Sequence, residues 1–278
     1  MRALYDQAAM RSSEQLTRLY STSFTWGIRV LHPELRQPIY SIYGLVRLAD
    51  EIVDTFFDAD QARLLQELEE ATYQALDRGL SVNPVLQAFQ LTARRFDIER
   101  SLVEAFFHSM RMDLKYREHD GESYAKYIYG SAEVVGLMCL RVFCQGDGRL
   151  YDELAPMARR LGAAFQKVNF LRDLRSDYVE RGRMYFPGVR FDQLSQSALH
   201  RLAAEIEEDF QQALPGIRRL PRAARQGVYL AYRYFRALLE KIRKSPPQRV
   251  QQERIRINNT SKLLLWAHVY IRHATGLL

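Results

Sequence analysis

An all-α fold is what this sequence predicts, and three observations carry the prediction. Apolar residues recur at three- and four-residue spacing along nearly the whole chain, which is the period of one helix face. Short alternating runs bounded by turn residues, the mark of half-buried strands, are almost absent. The stretches between the helical runs are all too short to serve as a domain linker.

The elements follow in order. The first fifteen residues, MRALYDQAAMRSSEQ, are broken by Arg2, Asp6 and Arg11 before an apolar core develops, so no secretory signal is expected. Residues 42–57, IYGLVRLADEIVDTFF, read as a largely buried helix, with Ile39, Tyr40, Ile42, Tyr43, Leu45, Val46, Leu48, Ile52, Val53, Phe56 and Phe57 covering most of its circumference. Asn83-Pro84 starts a helix with proline in its first turn. Gly121 and Gly146–Gly148 mark connections on either side of the apolar run VVGLMCLRVFC. Residues 163–187, AAFQKVNFLRDLRSDYVERGRMYFP, form a second apolar-periodic helix, and Pro187-Gly188 and Ser245-Pro246-Pro247 are stops. The late run LLLWAHVY is too short to cross a membrane, and no stretch reaches the roughly 18 uncharged residues that crossing needs. About eight to ten helices of about ten to twenty-five residues are expected, in one domain over 1–278.

Composition narrows the function. The 278 residues are 47% apolar and 26% charged, ordinary for a folded chain. A net charge of +7 favours an anionic partner, whether phosphate, anionic lipid or nucleic acid. No nucleic-acid motif accompanies the charge, so nucleic acid is not expected. Cys139 and Cys144 both sit in the apolar run and read as core residues, which fits a reducing cytoplasm. The histidines are scattered, and HExxH, GxSxG and GxGxxG are absent, so zinc and serine-nucleophile mechanisms find no support.

The acidic residues carry the chemistry. Asp50 and Asp54 lie four apart, about 6 Å from each other on one helix face, with Arg47 one turn earlier. Such a pair is ordinary on a solvated surface, but here its neighbours are apolar, and desolvated carboxylates need cations or protons. Asp173 and Asp177 repeat the spacing, with Gln166, Asn169 and Arg172 leading into them at three-residue steps. If the two helices face each other, four carboxylates make a mouth suited to Mg²⁺ or Mn²⁺, which complete their shells with water and phosphate oxygens. Arg47, Lys167, Arg172, Arg181, Arg183, Arg254 and Arg256 lie near these motifs or in segments able to close over them, and arginine suits bidentate phosphate binding.

Four blocks, YSTSF (20–24), YGLVRLADEIVD (43–54), YIYGSAEVVGLM (127–138) and QKVNFLRDLRSDYVERGRMYFP (166–187), resemble the squalene and phytoene synthase family over essentially the whole chain. The length is similar to that of the bacterial members, which lack a C-terminal membrane anchor. The resemblance implies an isoprenoid synthase fold around a central apolar cavity. It also implies head-to-head condensation of two allylic isoprenyl diphosphates through a cyclopropylcarbinyl diphosphate. Carried over, Asp50, Asp54, Asp173 and Asp177 bind Mg²⁺. Ser21, Ser23, Arg47, Gln166, Asn169, Arg172 and Arg254 contact or position diphosphate, and Tyr43, Arg47, Tyr127 and Phe24 serve the reaction centre. The main reading is phytoene from two C20 units. Squalene or dehydrosqualene from two C15 units is the alternative, with NADPH needed only for squalene, and a non-catalytic binding relative is the alternative of another class. Trp26, Ile28 and Tyr40 are read as the cavity floor, where the small Ile28 favours the longer substrate. Phe235 stands where relatives often carry Tyr, and Glu133 where many carry Gly. A cytoplasmic protein touching the inner membrane face transiently is expected, of undetermined oligomeric state.

Overall fold

The computed structural model describes residues 1–274, apart from the side chains of Ser23, Asn259, Tyr270 and 272–274. Thirteen α-helices occur among the described residues, more than expected, because several connections are too short to register in the sequence. α1 (Arg2–Tyr20) and α2 (Thr22–Val30) are separated by Ser21 alone, whose extended backbone breaks the helix while its Oγ accepts a hydrogen bond from Phe24 N at 3.2 Å and caps α2. α3 (Pro33–Asp54) begins with proline and ends short of the expected boundary, which leaves Phe56 and Phe57 exposed. α4 (Gln61–Arg78) is capped by Asp60. α5 (Pro84–Arg95) is capped by Asn83, as its Asn-Pro start predicts. α6 (Arg100–Lys115) leads to α7 (Gly121–Ile128), which opens on an Asp120–Ser123 capping box.

A π-helical turn, Tyr129–Glu133, joins α7 to α8 (Val134–Cys144). The combined stretch Gly121–Cys144 is long and apolar enough by composition to cross a membrane, yet more than half of its most apolar window is buried, so it serves as a central core helix. α9 (Gly148–Val179) has 32 residues, longer than expected, and ends before RGRMYFP, which runs as a loop. α10 (Gln196–Arg219), α11 (Arg222–Lys244), the short α12 (Pro247–Gln252) and α13 (Asn259–Ala274) complete the chain.

Two apolar cores result. One gathers α2 to α6 with α8, and the other gathers α9 to α13 with the loop after α9. Between them lies a cavity of about 770 Å³ walled by α2, α3, α8, α9, α10 and α11. Where α9 passes the π-turn, Gly162 lets the two backbones touch: a Cβ there would sit 2.5 Å from Ala132 O. The cysteines behave as read, both thiols being free, Cys144 buried and Cys139 half-buried at the cavity wall.

Candidate active site

The inner end of α3 and the last turns of α9 bring the two aspartate pairs to one place. Arg181 bridges them, with Nη1 donating to Asp177 Oδ1 at 3.0 Å and Nε 3.5 Å from Asp54 Oδ1. Arg183 reaches the same oxygen, donating from Nη1 to Asp54 Oδ1 at 2.6 Å. Both arginines reach back because Gly182 between them turns the chain in the left-handed region, at φ 66°. On the α9 side, Arg172 donates to both oxygens of Asp173, at 3.0 and 2.5 Å, and Arg254 Nε lies 2.7 Å from Asp173 Oδ1. Arg47 pairs with the buried Glu51, stands 3.8 Å from Asp50, and lies 4.3 Å over the Tyr20 ring.

The arrangement is short of cations. Burial, and then the neighbouring Asp54 carboxylate, push Asp50 up to about 7, although its side chain keeps 34% of its exposure toward the cavity. Burial and Asp173 push Asp177 up to about 8. The carbonyl oxygen of Asn169 is buried without a hydrogen-bond partner, its amide donating to Gln166 Oε1 at 3.4 Å. Two carboxylates held above their usual range and an orphaned carbonyl oxygen are a donor set that fits a hard divalent cation. As the side chains stand, no group of three or more acidic, His or Cys side chains among the described residues is gathered closely enough to chelate one. Guanidinium groups hold Asp54, Asp173 and Asp177 instead.

Sequence reasoning missed the buried centre behind this mouth. Asp113 on α6, 4% exposed, accepts from Tyr127 Oη at 2.7 Å and Tyr185 Oη at 2.8 Å, and lies 3.5 Å from Arg183, also 4% exposed. Burial above all, offset in part by Arg183, leaves Asp113 up at about 6. Asp113 belongs to no acidic pair, and only the packing of α6 against α7 shows its role. Glu51 stands out in the sequence as a third carboxylate in the same apolar stretch, but that it is buried and paired with Arg47 shows only in the structure.

The other expected residues divide. Ser21, Phe24, Tyr43, Arg47, Asp50, Tyr127, Gln166, Asn169, Arg172 and Arg254 all line the cavity, its polar end being formed by the charged members. Asp173 joins that end through Arg172 and Arg254, whereas Asp54 and Asp177 are held by Arg181 and Arg183, which do not line the cavity. Ser23 lies on α2, and its side chain is outside the described set. Phe24 packs 5.6 Å from Tyr43 and 5.9 Å from Phe235, which in turn stacks on Phe165 at 4.2 Å. At the Phe235 position, therefore, the chain builds an aromatic wall without a hydroxyl.

Several expectations need correcting. Lys167 faces α10, where it donates to Glu205 at 2.6 Å and Asp209 at 2.9 Å, because its helix position points away from the aspartates. Of the three floor residues, only Ile28 lines the cavity; Tyr40 is packed in the core and Trp26 is 37% exposed on the outer face of α2. Glu133, whose role the sequence left open, accepts from Arg159 Nε at 2.6 Å and is an arginine partner.

A family profile described as squalene/phytoene synthase matches residues 17–261. The chain belongs to the squalene/phytoene synthase family. Among its relatives, the phytoene synthase of Mycobacterium tuberculosis is 29% identical over 194 residues, 68% of this chain and 60% of that protein. The 15-cis-phytoene synthase of a Paracoccus species is 28% identical over 275 residues, 91% and 88% of the two chains. The 4,4'-diapophytoene synthase of Staphylococcus haemolyticus is 25% identical over 197 residues, 70% and 66% of the two chains. The match thus spans only 60% of the mycobacterial protein's length. A solved dehydrosqualene synthase superposes with a TM-score of 0.83 at 22% identity, covering 97% of this chain and 98% of that one. Squalene synthase HpnC from Alicyclobacillus acidocaldarius superposes with a TM-score of 0.76 at 21% identity, covering 87% and 95%. This family member therefore has the isoprenoid synthase fold.

Proposed function

We propose that this squalene/phytoene synthase family member condenses two molecules of geranylgeranyl diphosphate head to head, through a cyclopropylcarbinyl diphosphate, to phytoene. One observation carries the reading: Arg181 joins the aspartate pairs of α3 and α9 beside a largely apolar cavity whose polar end Asp50 lines. Asp50, Asp54, Asp173 and Asp177 would hold Mg²⁺, or Mn²⁺ in its place, with the Asn169 oxygen beside them. When bound, the cation supplies Lewis acidity that stabilises the departing diphosphate. Arg47, Arg172 and Arg254 face the same end and bind the diphosphate oxygens. The apolar walls keep water from the allylic cation, and the faces of Phe24, Tyr43 and Phe235 offset part of its charge. Tyr127 is oriented by its hydrogen bond to Asp113.

The membrane contact belongs to the same reading. Leu19 and Tyr20 line the cavity and are exposed, and near them Lys262 Nζ lies 3.3 Å from Thr22 Oγ1, followed by the exposed Leu263 and Leu264. An apolar rim with basic residues suits a cytoplasmic protein that meets the anionic inner face of the membrane, where a hydrocarbon product leaves.

The deciding experiment supplies purified protein and Mg²⁺ with farnesyl or geranylgeranyl diphosphate, with and without NADPH, and identifies the extracted hydrocarbon by mass. A C40 product without NADPH is expected. A C30 product would move the assignment to the squalene branch, with NADPH dependence separating squalene from dehydrosqualene. No product from either substrate would overturn the enzymatic reading in favour of a binding protein.

A further inference from the structure

The cavity can be measured along its own helices. On α7, the π-turn and α8, the residues lining it recur as Tyr127, Ser131, Val135, Cys139 and Phe143. Four-residue steps on an ordinary α-helix drift around the axis, and the π-turn within this run takes up part of that drift and keeps the row on one face. At the α-helical rise, Tyr127 and Phe143 are about 24 Å apart. On α9 the matching row runs from Arg172 through Asn169, Phe165, Leu161 and Ala158 to Leu154, about 27 Å by the same rise. Both rows are polar at the diphosphate end and wholly apolar at the other.

The apolar end is closed. Phe143, Leu154, Leu31 and Leu220 line the cavity there and are all buried. Two external straps hold them. The guanidinium of Arg141 lies 3.4 Å over the Tyr151 ring and pairs with Glu99, tying the end of α8 to the start of α9. Arg219 pairs with Glu153, bringing the end of α10, and with it Leu220, to Leu154.

An isoprene unit contributes four chain bonds, about 5 Å when extended, from carbon–carbon bonds of about 1.5 Å. Three units then need about 15 Å, four about 20 Å and five about 25 Å. Four units fit within both rows with room to spare, whereas five, at about 25 Å, reach the full length of the α8 row and meet the Phe143 ring that closes it. We propose that Phe143, backed by Leu154 and Leu220, is the residue that sets the prenyl chain length, the end of the cavity where α8 meets α9 being its floor. This rests on the isoprenyl diphosphate reading of the site.

The test uses the S-thiolodiphosphate analogues of the C15, C20 and C25 substrates, which bind without turning over, titrated calorimetrically with Mg²⁺ into the full-length protein. The wild type is expected to bind the C20 analogue and to reject C25 by about tenfold or more. Phe143→Ala should raise C25 binding relative to C20 by about tenfold, and Phe143→Leu should move it the same way by less. Cys139→Phe, which fills the row about 18 Å from Tyr127, should lose C20 by about tenfold while keeping C15. A folded Phe143 variant, judged by its melting temperature, with an unchanged C25-to-C20 ratio would overturn the assignment. So would a Cys139→Phe protein that weakens C15 and C20 alike. Failure of the wild type to bind any of the three would overturn the reading of the site itself, a result distinct from binding that ignores chain length.

Discussion

At the residue scale, the centre of the site is a set of carboxyl groups that the fold holds against their preference. Burial pushes Asp50, Asp113 and Asp177 up to about 7, 6 and 8, with neighbouring aspartates adding to the rise at Asp50 and Asp177 and Arg183 offsetting part of it at Asp113. Their folded pKa values exceed their unfolded values, so the folded chain binds more protons and stability falls as pH rises through that window. His119 works in the opposite sense, since burial lowers it and its contribution is lost below the ordinary histidine range. The cleanest window is therefore pH 6.5 to 8. In metal-free protein the melting temperature should fall across it, and Asp50→Asn or Asp177→Asn should flatten the fall while reducing turnover by at least about a thousandfold. A melting temperature that rises from pH 6.5 to 8 would contradict the electrostatics. Asp113→Asn is a different probe. Tyr127, Tyr185 and Arg183 lose a charged acceptor, at a cost of about 2 kcal/mol in stability read by denaturant unfolding. The misplaced Tyr127 hydroxyl should cost about 100-fold in kcat, with KM changing far less.

At the scale of elements, the π-turn Tyr129–Glu133 decides which face of α8 meets the cavity. Gly130 within it leaves no space for a side chain, because a Cβ would come 2.2 Å from Ala105 O on α6. Gly130→Ala should cost about 2 kcal/mol through displaced backbone. Deleting Ser131 would convert the turn to α-helix and rotate everything after it by about 100°. Val135, Cys139 and Phe143 would then leave the cavity wall. Helix content by circular dichroism should stay near that of the wild type while turnover disappears, and retained activity would show that the turn does not set the register. The π-turn has no composition of its own, being one extra residue in an apolar helix, which is why the periodicity of 127–144 read as ordinary α-helix.

At the scale of the whole molecule, the cavity exists because two cores pack against each other without filling the space between them. The aspartate pairs sit where those cores meet, so a ligand joining α3 to α9 should stabilise the protein as a unit. Mg²⁺ with inorganic diphosphate is expected to raise the melting temperature by several degrees at pH 8, in the manner of a ligand bound only by the native state, and either alone by much less. An equal effect of diphosphate without metal would argue that the arginines bind the anion unaided. Much of this was legible beforehand: the helical class, the Asn83-Pro84 start, the two DxxxD pairs and their meeting. The number of helices was not, because breaks as short as Ser21 cost one residue and leave the apolar period almost unchanged.

The sequence by itself determined the helical class, from the 3.6-residue period, and the candidate site, from carboxylates embedded in apolar helices, because both are properties of neighbours along the chain. Tertiary structure alone decided which arginine serves which aspartate, that Lys167 faces α10, that Asp113 and Glu51 are buried partners, and that the cavity ends on Phe143 rather than on Trp26 or Tyr40. Each of these depends on which helix lies opposite, and a helix periodicity says which residues share a face without saying what that face meets.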